Sequence, residues 1–240
     1  MQVTIYKNLY KKSASDAHIV PVMAALKRIK DGSSKDKIEK IRSGEKEFKK
    51  ALPVVLFSGE FGARKDSEIR KHSSFIVLDF DHIEVEKSKP VIGTDPYVYA
   101  CWVSPSGDGI KALARITNPE RHRDHFRALV AYFKKQYDLE VDVSGINESR
   151  ACYESYDPDI ILNESSNVFG ALQVDSKQEQ VAVSQSESYT DYLKLNLAAK
   201  MIRQCSDGDK HATLLRAGRL CGGFISAGRM EEDEVIRVLS

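Results

Sequence analysis

The stretch Ser73-Ser74-Phe75-Ile76-Val77-Leu78-Asp79-Phe80-Asp81 constrains the fold of this chain more than any other. A short apolar run rich in aromatic and β-branched residues, opened by small polar ones, reads as a strand covered on both faces. Such a strand must sit in the middle of a sheet, and its C-terminal end here turns acidic. Further strands are expected at Val3–Tyr6, Pro53–Phe57 (closed by Ser58-Gly59), Tyr97–Val103, Ile110–Ile116 and Arg150–Tyr156, the last stopping at Asp157-Pro158.

Between these strands the apolar spacing is helical. Ile19, Val22, Met23, Leu26 and Ile29 predict a helix from Asp16 to about Lys30, and Ile38 and Ile41 a second one ending near Gly44. Asn118-Pro119-Glu120 supplies a capping side chain and then proline at the first helical position, and Phe126, Leu129, Val130 and Phe133 continue that helix. Mixed strands and helices with hairpin-length joins predict an α+β domain rather than regular βαβ winding. Residues 1–170 are read as this domain, with a basic helical part at 1–50 and a core at 50–165. A Gln/Ser-rich linker is expected over 171–188. Residues 189–240 read as a small all-α unit with helices at Tyr192–Gln204, Lys210–Ala227 and Glu231 onward; the last has no cap at Ser240, as in a piece of a longer chain.

Composition removes several classes. No apolar run is long enough to span a membrane, and the N-terminus lacks a signal peptide's apolar stretch, so a cytoplasmic location is expected. Cys101, Cys152, Cys205 and Cys221 are scattered without a C-x-x-C pair, which speaks against zinc fingers and a disulfide framework and for small buried thiols. The net charge of +1 hides an asymmetry, since residues 1–50 carry 13 Lys/Arg against 6 Asp/Glu. That excess suits either a phosphate backbone or the solvated side of helices.

Three short patterns can carry chemistry. In Asp79-Phe80-Asp81, alternate side chains of a strand share a face, so two carboxylates project together from Cα atoms about 7 Å apart. Like charges at that spacing repel unless neutralised, and a hard divalent cation is the natural partner; a solvated acidic turn is the plainer alternative. In Ser106-Gly107-Asp108-Gly109-Ile110-Lys111, the glycines allow close backbone approach to phosphate and Lys111 brings a point charge, although the same residues make an ordinary hairpin turn. It is not a Walker A loop, because neither the spacing nor a following helix fits. Asp142, between two valines, reads as a third ligand or an Asx-turn residue, and Arg150 as a triphosphate clamp or the partner of a nearby acid. His122 and His125, three apart, are read as helix-surface residues rather than a ligand pair. His82 is placed to assist the acidic pair or to sit exposed in the next loop, and Trp102 belongs to the core.

In order, these pieces resemble the archaeo-eukaryotic primase (prim-pol) superfamily, and more closely its VirE N-terminal-like branch found with mobile-element replication proteins. Leu52-Pro53…Phe57-Ser58-Gly59, Val77–His82, Ser104–Lys111 and Val141-Asp142…Arg150–Pro158 carry the likeness, over most of residues 50–165. The resemblance implies an RRM-like derived catalytic domain followed by a small helical primase C-terminal domain, the latter on Asp207–Leu220 with Gly222-Gly223. It implies metal ligation and catalysis by Asp79, Asp81 and Asp142, with Mg²⁺ or Mn²⁺. Ser106, Gly107, Gly109, Lys111 and Arg150 would bind the nucleotide. Many members have histidine where Lys111 stands; lysine holds a phosphate but cannot reproduce imidazole chemistry. The partners implied are nucleoside triphosphates and a single-stranded DNA template. A replicative helicase is a further candidate partner; no helicase signature lies in these residues, and such an ATPase could follow in a longer polypeptide or be encoded separately. Two rival functions share the same residues: a non-catalytic single-stranded nucleic-acid-binding module, and a metal-dependent nuclease.

Overall fold

The structure is a computed structural model; it describes residues 1–174 and a few positions beyond them. The chain divides into two compact units, Met1–Val174 and Asp175–Ser240. In the second unit the described positions, among them Ala198, Ala217 and Cys221, are helical. The rest of its expected helices, and the linker past Val174, lie outside the described residues.

The first unit is mixed α+β. Its elements are β1 (Gln2–Tyr6), β2 (His18–Pro21), α1 (Val22–Asp31), α2 (Lys35–Arg42), β3 (Val54–Leu56), β4 (Gly59–Phe61), β5 (Ile69–His72), β6 (Phe75–Asp81), α3 (Val85–Gly93), β7 (Val98–Val103), β8 (Gly109–Ile116), α4 (His122–Tyr137), β9 (Cys152–Tyr153), β10 (Ile161–Leu162) and β11 (Val168–Phe169). One antiparallel sheet runs β2-β1-β3-β9. In a second sheet β8 is flanked by β6 and β7, β10 borders β7, and only β11 pairs in parallel, with the end of β8. β4 and β5 form a separate hairpin.

The period-2 geometry of β6 explains both its apolar run and its acidic end. Phe75 and Val77 pack with Val3, Val55, Phe57, Trp102 and Leu113 in a core shared with the β1–β3 sheet and α1. Ile76, Leu78 and Phe80 point the other way, against Phe126, Leu129 and Phe133 of α4. Both faces are covered, as the sequence required. Asp79 and Asp81 continue the row of Phe75 and Val77, so they emerge on the face turned toward the first sheet, just where that core ends. Among the described residues no helix is long and apolar enough to cross a membrane. Cys101, Cys152 and Cys221 are free and buried.

Several elements differ from expectation. The helix expected from Asp16 starts only at Val22, because His18–Pro21 pairs with β1 instead. Proline disfavours helical backbone in the residue before it, which keeps Val20 extended. The strand expected over Arg150–Tyr156 is cut to Cys152–Tyr153. Past Tyr153 the polar side chains take tertiary partners: Glu154 is bound by Arg28 at 2.5 Å and by Ser34, Ser155 donates to the Val103 carbonyl at 2.6 Å, and Asp157 accepts from the Val103 amide at 2.8 Å. Helix α3 went unforeseen, since Pro90 stands inside it.

His122 and His125 are not surface residues, being 2% and 0% exposed, and they do not form a ligand pair. His125 meets the Ala171 carbonyl through Nδ1 at 2.8 Å, whereas His122 meets His72 at 2.9 Å. The Ser74 amide donates to His72 Nδ1 at 2.9 Å, so His72 carries its proton on Nε2 and donates it to His122 Nδ1. Both rings must be neutral for this chain of bonds. Burial accordingly pushes His72 down to about 4 and His122, which also faces His72, down to about 3. The unfolded chain takes up these protons near pH 6.5. Stability is therefore expected to fall as pH drops from about 6.5 toward 4, by about 1.4 kcal/mol per pH unit for each histidine. Urea denaturation at pH 7.5, 5.5 and 4.5 measures the slope, and His122→Asn should roughly halve it; an unchanged slope would acquit the pair.

Candidate metal and phosphate cleft

The core shared by the two sheets ends in a polar cleft of about 450 Å³ lined by Asp79, Asp81, Lys111, Ser106, Arg150 and Tyr153, among others. Strand pairing sets its floor. Asp79 lies opposite Lys111 and Asp81 opposite Gly109, in the β6–β8 register. Lys111 shares its face of β8 with Leu113, so its stem leaves the core and its ammonium meets Asp79 in a close ion pair. A side chain at position 109 would put its Cβ 2.6 Å from the Phe80 carbonyl and 3.4 Å from Asp81 Oδ1, so glycine is what lets β8 run close beside the acidic end of β6. Gly107, at φ +82°, supplies the left-handed turn of the hairpin, closed by its amide on the Ser104 carbonyl at 3.1 Å. Thus the Ser106–Lys111 stretch is a hairpin turn, and its strand end also furnishes the cleft's buried cation. Ser106 stands at the rim, its hydroxyl 3.3 Å from that of Ser104.

Asp142 arrives from far along the chain. Its amide donates to the Asp79 carbonyl at 2.8 Å, which pins the 142–146 turn against the end of β6. Of the two readings of Asp142, the Asx turn is formed, and the same carboxylate also lies where a third ligand would stand. Its carboxylate accepts from the Ser144 amide at 2.9 Å and the Ser144 hydroxyl at 2.6 Å, as an Asx-turn residue does. It also stands with Asp79 and Asp81, all three offering ligand atoms within 4.8 Å of one another. Arg150 pairs with Asp142 at 2.9 Å, the acid-pairing alternative. The loop carrying Arg150 is fastened by Ser149, whose amide and hydroxyl donate to Asp66 at 2.9 and 2.5 Å.

The charges are only partly settled. Burial raises the Asp81 pKa, and the carboxylates of Asp79 and Asp142 add to that rise. For Asp142 burial works upward too, but the Ser144 bonds and Arg150 outweigh it and hold the group low. Burial works against charge on Lys111, yet Cys152, Asp79 and Asp81 around it shift the ammonium upward. One lone oxygen decides what the cluster fits. Asp79 Oδ1 is buried and has no hydrogen-bond partner among the described residues, an uncommon and costly state for a carboxylate oxygen. An all-oxygen, all-carboxylate donor set with a buried acceptor left over suits a hard divalent cation. The cluster can hold a metal ion.

Residues 47–161 match the BT4734-like N-terminal domain family. The matched segment spans just under half the chain and contains Asp79, Asp81, Ser106, Lys111, Asp142 and Arg150. No curated protein matches the chain, and no solved structure does.

Four lining residues of the matched segment escaped the sequence reading: Lys49, Arg64, Asn147 and Ser149. Leu9, from outside it, was missed as well. They come from a 3-10 turn and from loops whose sequence shows no spacing signal. Of the two readings of His82, the exposed one holds, its ring facing Asp108 at 3.5 Å. Trp102 is core, packed on Phe57 at 5.5 Å between ring centroids.

Proposed function

We propose that this cleft is a nucleotidyl-transfer site of the primase–polymerase kind, in which a nucleoside triphosphate is joined to a 3′-hydroxyl on a single-stranded DNA template. The observation that carries the reading is the convergence of Asp79, Asp81 and Asp142 at the open end of a central strand, with Asp79 Oδ1 unpartnered. The ordered likeness of residues 50–165 to prim-pol proteins supports it. In the reaction the 3′-oxygen bonds to the α-phosphorus, the α–β phosphoanhydride bond breaks, pyrophosphate leaves and the hydroxyl proton passes to solvent. Bound Mg²⁺ or Mn²⁺ would supply activation of the hydroxyl and neutralisation of the leaving group.

The chain's own residues do the rest. Asp79, Asp81 and Asp142 hold cations. Lys111 and Arg150 limit the cluster's net negative charge, so an anionic nucleotide can approach it. Gly107 and Gly109 keep the hairpin narrow beside the cleft, and Ser106 offers a hydroxyl at its rim. The α2 face, with Lys35 and Lys40 exposed, offers charge to a template strand. A helicase, in the same polypeptide or a separate one, would supply that single strand.

The ion pairs of Lys111 and Arg150 favour a second reading. They balance two carboxylates without any metal, as a non-catalytic single-stranded DNA-binding module would. A primer-extension and priming assay with Mg²⁺ or Mn²⁺ separates the two. Template-dependent incorporation supports the enzyme. Salt-sensitive DNA binding with no incorporation under either metal supports the binding module, and DNA degradation without nucleotides would point to a nuclease.

A further inference from the structure

Four cations line the cleft, and they are not equivalent. Lys111 is committed to Asp79 and Arg150 to Asp142. Lys49 and Arg64 make no ion pair with a carboxylate among the described residues, and the nearest acid to Lys49 by its electrostatic effect is Asp108, outside direct contact. Arg64 donates from Nη2 to the Leu9 carbonyl at 2.9 Å, which fixes the plane of its guanidinium. Its Nε is buried and meets no acceptor among the described residues. Lys49 lies over the Tyr153 ring, 5.5 Å from the centroid. The Tyr153 phenol also feels Arg64 and Arg150, so these positive groups gather around one ring at the cleft wall.

A half-buried guanidinium without a counter-charge is costly, because its desolvation is not repaid. Chains keep such a group where an anion arrives to complete it. The guanidinium fork matches two phosphate oxygens, whereas an ammonium on a flexible stem acts as a movable point charge. The volume and the company narrow the anion further. About 450 Å³ takes a small molecule, and the same cleft holds three carboxylates fit for a divalent cation. An oligophosphate chain is the anion that uses both.

We infer that Arg64 and Lys49, set beside Tyr153, form the subsite for the phosphate chain of a nucleoside triphosphate, a task that Lys111 and Arg150 are not free to perform. This rests on the nucleotide reading of the cleft. Arg64 leads from the turn after β4, and Lys49 adds charge from the segment before β3.

The test is calorimetric binding of dATP, and separately of inorganic tripolyphosphate, to the native chain, Arg64→Gln and Lys49→Gln in Mg²⁺ buffer. A single-stranded oligonucleotide is the third titrant. Kd for both dATP and tripolyphosphate is expected to rise about tenfold or more in Arg64→Gln and severalfold in Lys49→Gln, with oligonucleotide affinity unchanged. Unchanged dATP affinity in a folded Arg64→Gln overturns the inference. So does a loss confined to the oligonucleotide, which would give these cations to the template backbone. Should Arg64→Gln fail to fold for want of the Leu9 bond, Lys49→Gln decides alone, since its ring contact lies at a part-exposed site.

The two readings can fail separately. Triphosphate bound through Arg64 without incorporation removes nucleotidyl transfer and keeps the subsite. Incorporation with an unchanged KM in Arg64→Gln does the reverse. No triphosphate binding by the native chain removes both.

Discussion

Asp81→Asn is expected to abolish metal-dependent incorporation, by roughly 10³-fold or more, while leaving the fold as stable as before or slightly more so. The activity side follows from scale: charge stabilisation by a bound divalent ion is worth several kcal/mol, and each 1.36 kcal/mol is tenfold in rate. The stability side follows from the structure. Asp81 is exposed at the strand end, makes no ion pair among the described residues, and lies beside two other carboxylates. Burial and those neighbours already disfavour its charge. Neutralising it relieves repulsion and strands no partner. A group that costs stability where it stands is typical of a functional site. Thermal melts with and without 10 mM Mg²⁺ give the second readout. The native chain should melt higher with the ion, and Asp81→Asn should not respond. Full incorporation by Asp81→Asn would end the metal assignment.

Asp79→Ala should behave in the opposite way and destabilise the chain by about 3–5 kcal/mol, because it leaves the Lys111 ammonium buried and unpaired. Lys111 is only 9% exposed along its side chain and has Asp79 as its carboxylate partner. For a unit of this size that loss lowers the melting temperature by on the order of 10 °C. Lys111→Met alone leaves Asp79 uncompensated, whereas Asp79→Ala/Lys111→Met removes both charges and should recover most of the stability. A double variant no better than either single one would mean that the pair does not carry the cost. Activity should stay lost in all three. The two neighbouring aspartates therefore separate by stability: Asp81 can be neutralised freely, and Asp79 cannot.

This contrast shows where sequence reading reaches its limit. Asp79 and Asp81 were legible as a pair, since alternation along a strand fixes their common face without knowledge of anything else. Nothing in the sequence distinguishes them, because the difference lies in Lys111, thirty-two residues away and opposite Asp79 only through the β6–β8 register. Lys111 itself read as a phosphate ligand; folding put its ammonium on a carboxylate. Asp142 and Arg150 were each read in two ways, and one backbone bond, from the Asp142 amide to the Asp79 carbonyl, brings both to the cluster. The histidines of α4 were misread for a related reason. Their spacing placed them on the helix, but the β4–β5 hairpin and residue 171, which cover them, are distant in sequence.

The sequence by itself determined the α+β class, the doubly covered strand Phe75–Asp81 and the shared face of its two carboxylates. Those follow from local periodicity and from the need to bury an apolar run. Only the tertiary structure decided which cations are spent on Asp79 and Asp142 and which cleft cations, Arg64 and Lys49, make no carboxylate ion pair among the described residues. Ion pairing depends on distances of a few ångströms between residues tens of positions apart, and strand register and loop closure set those distances.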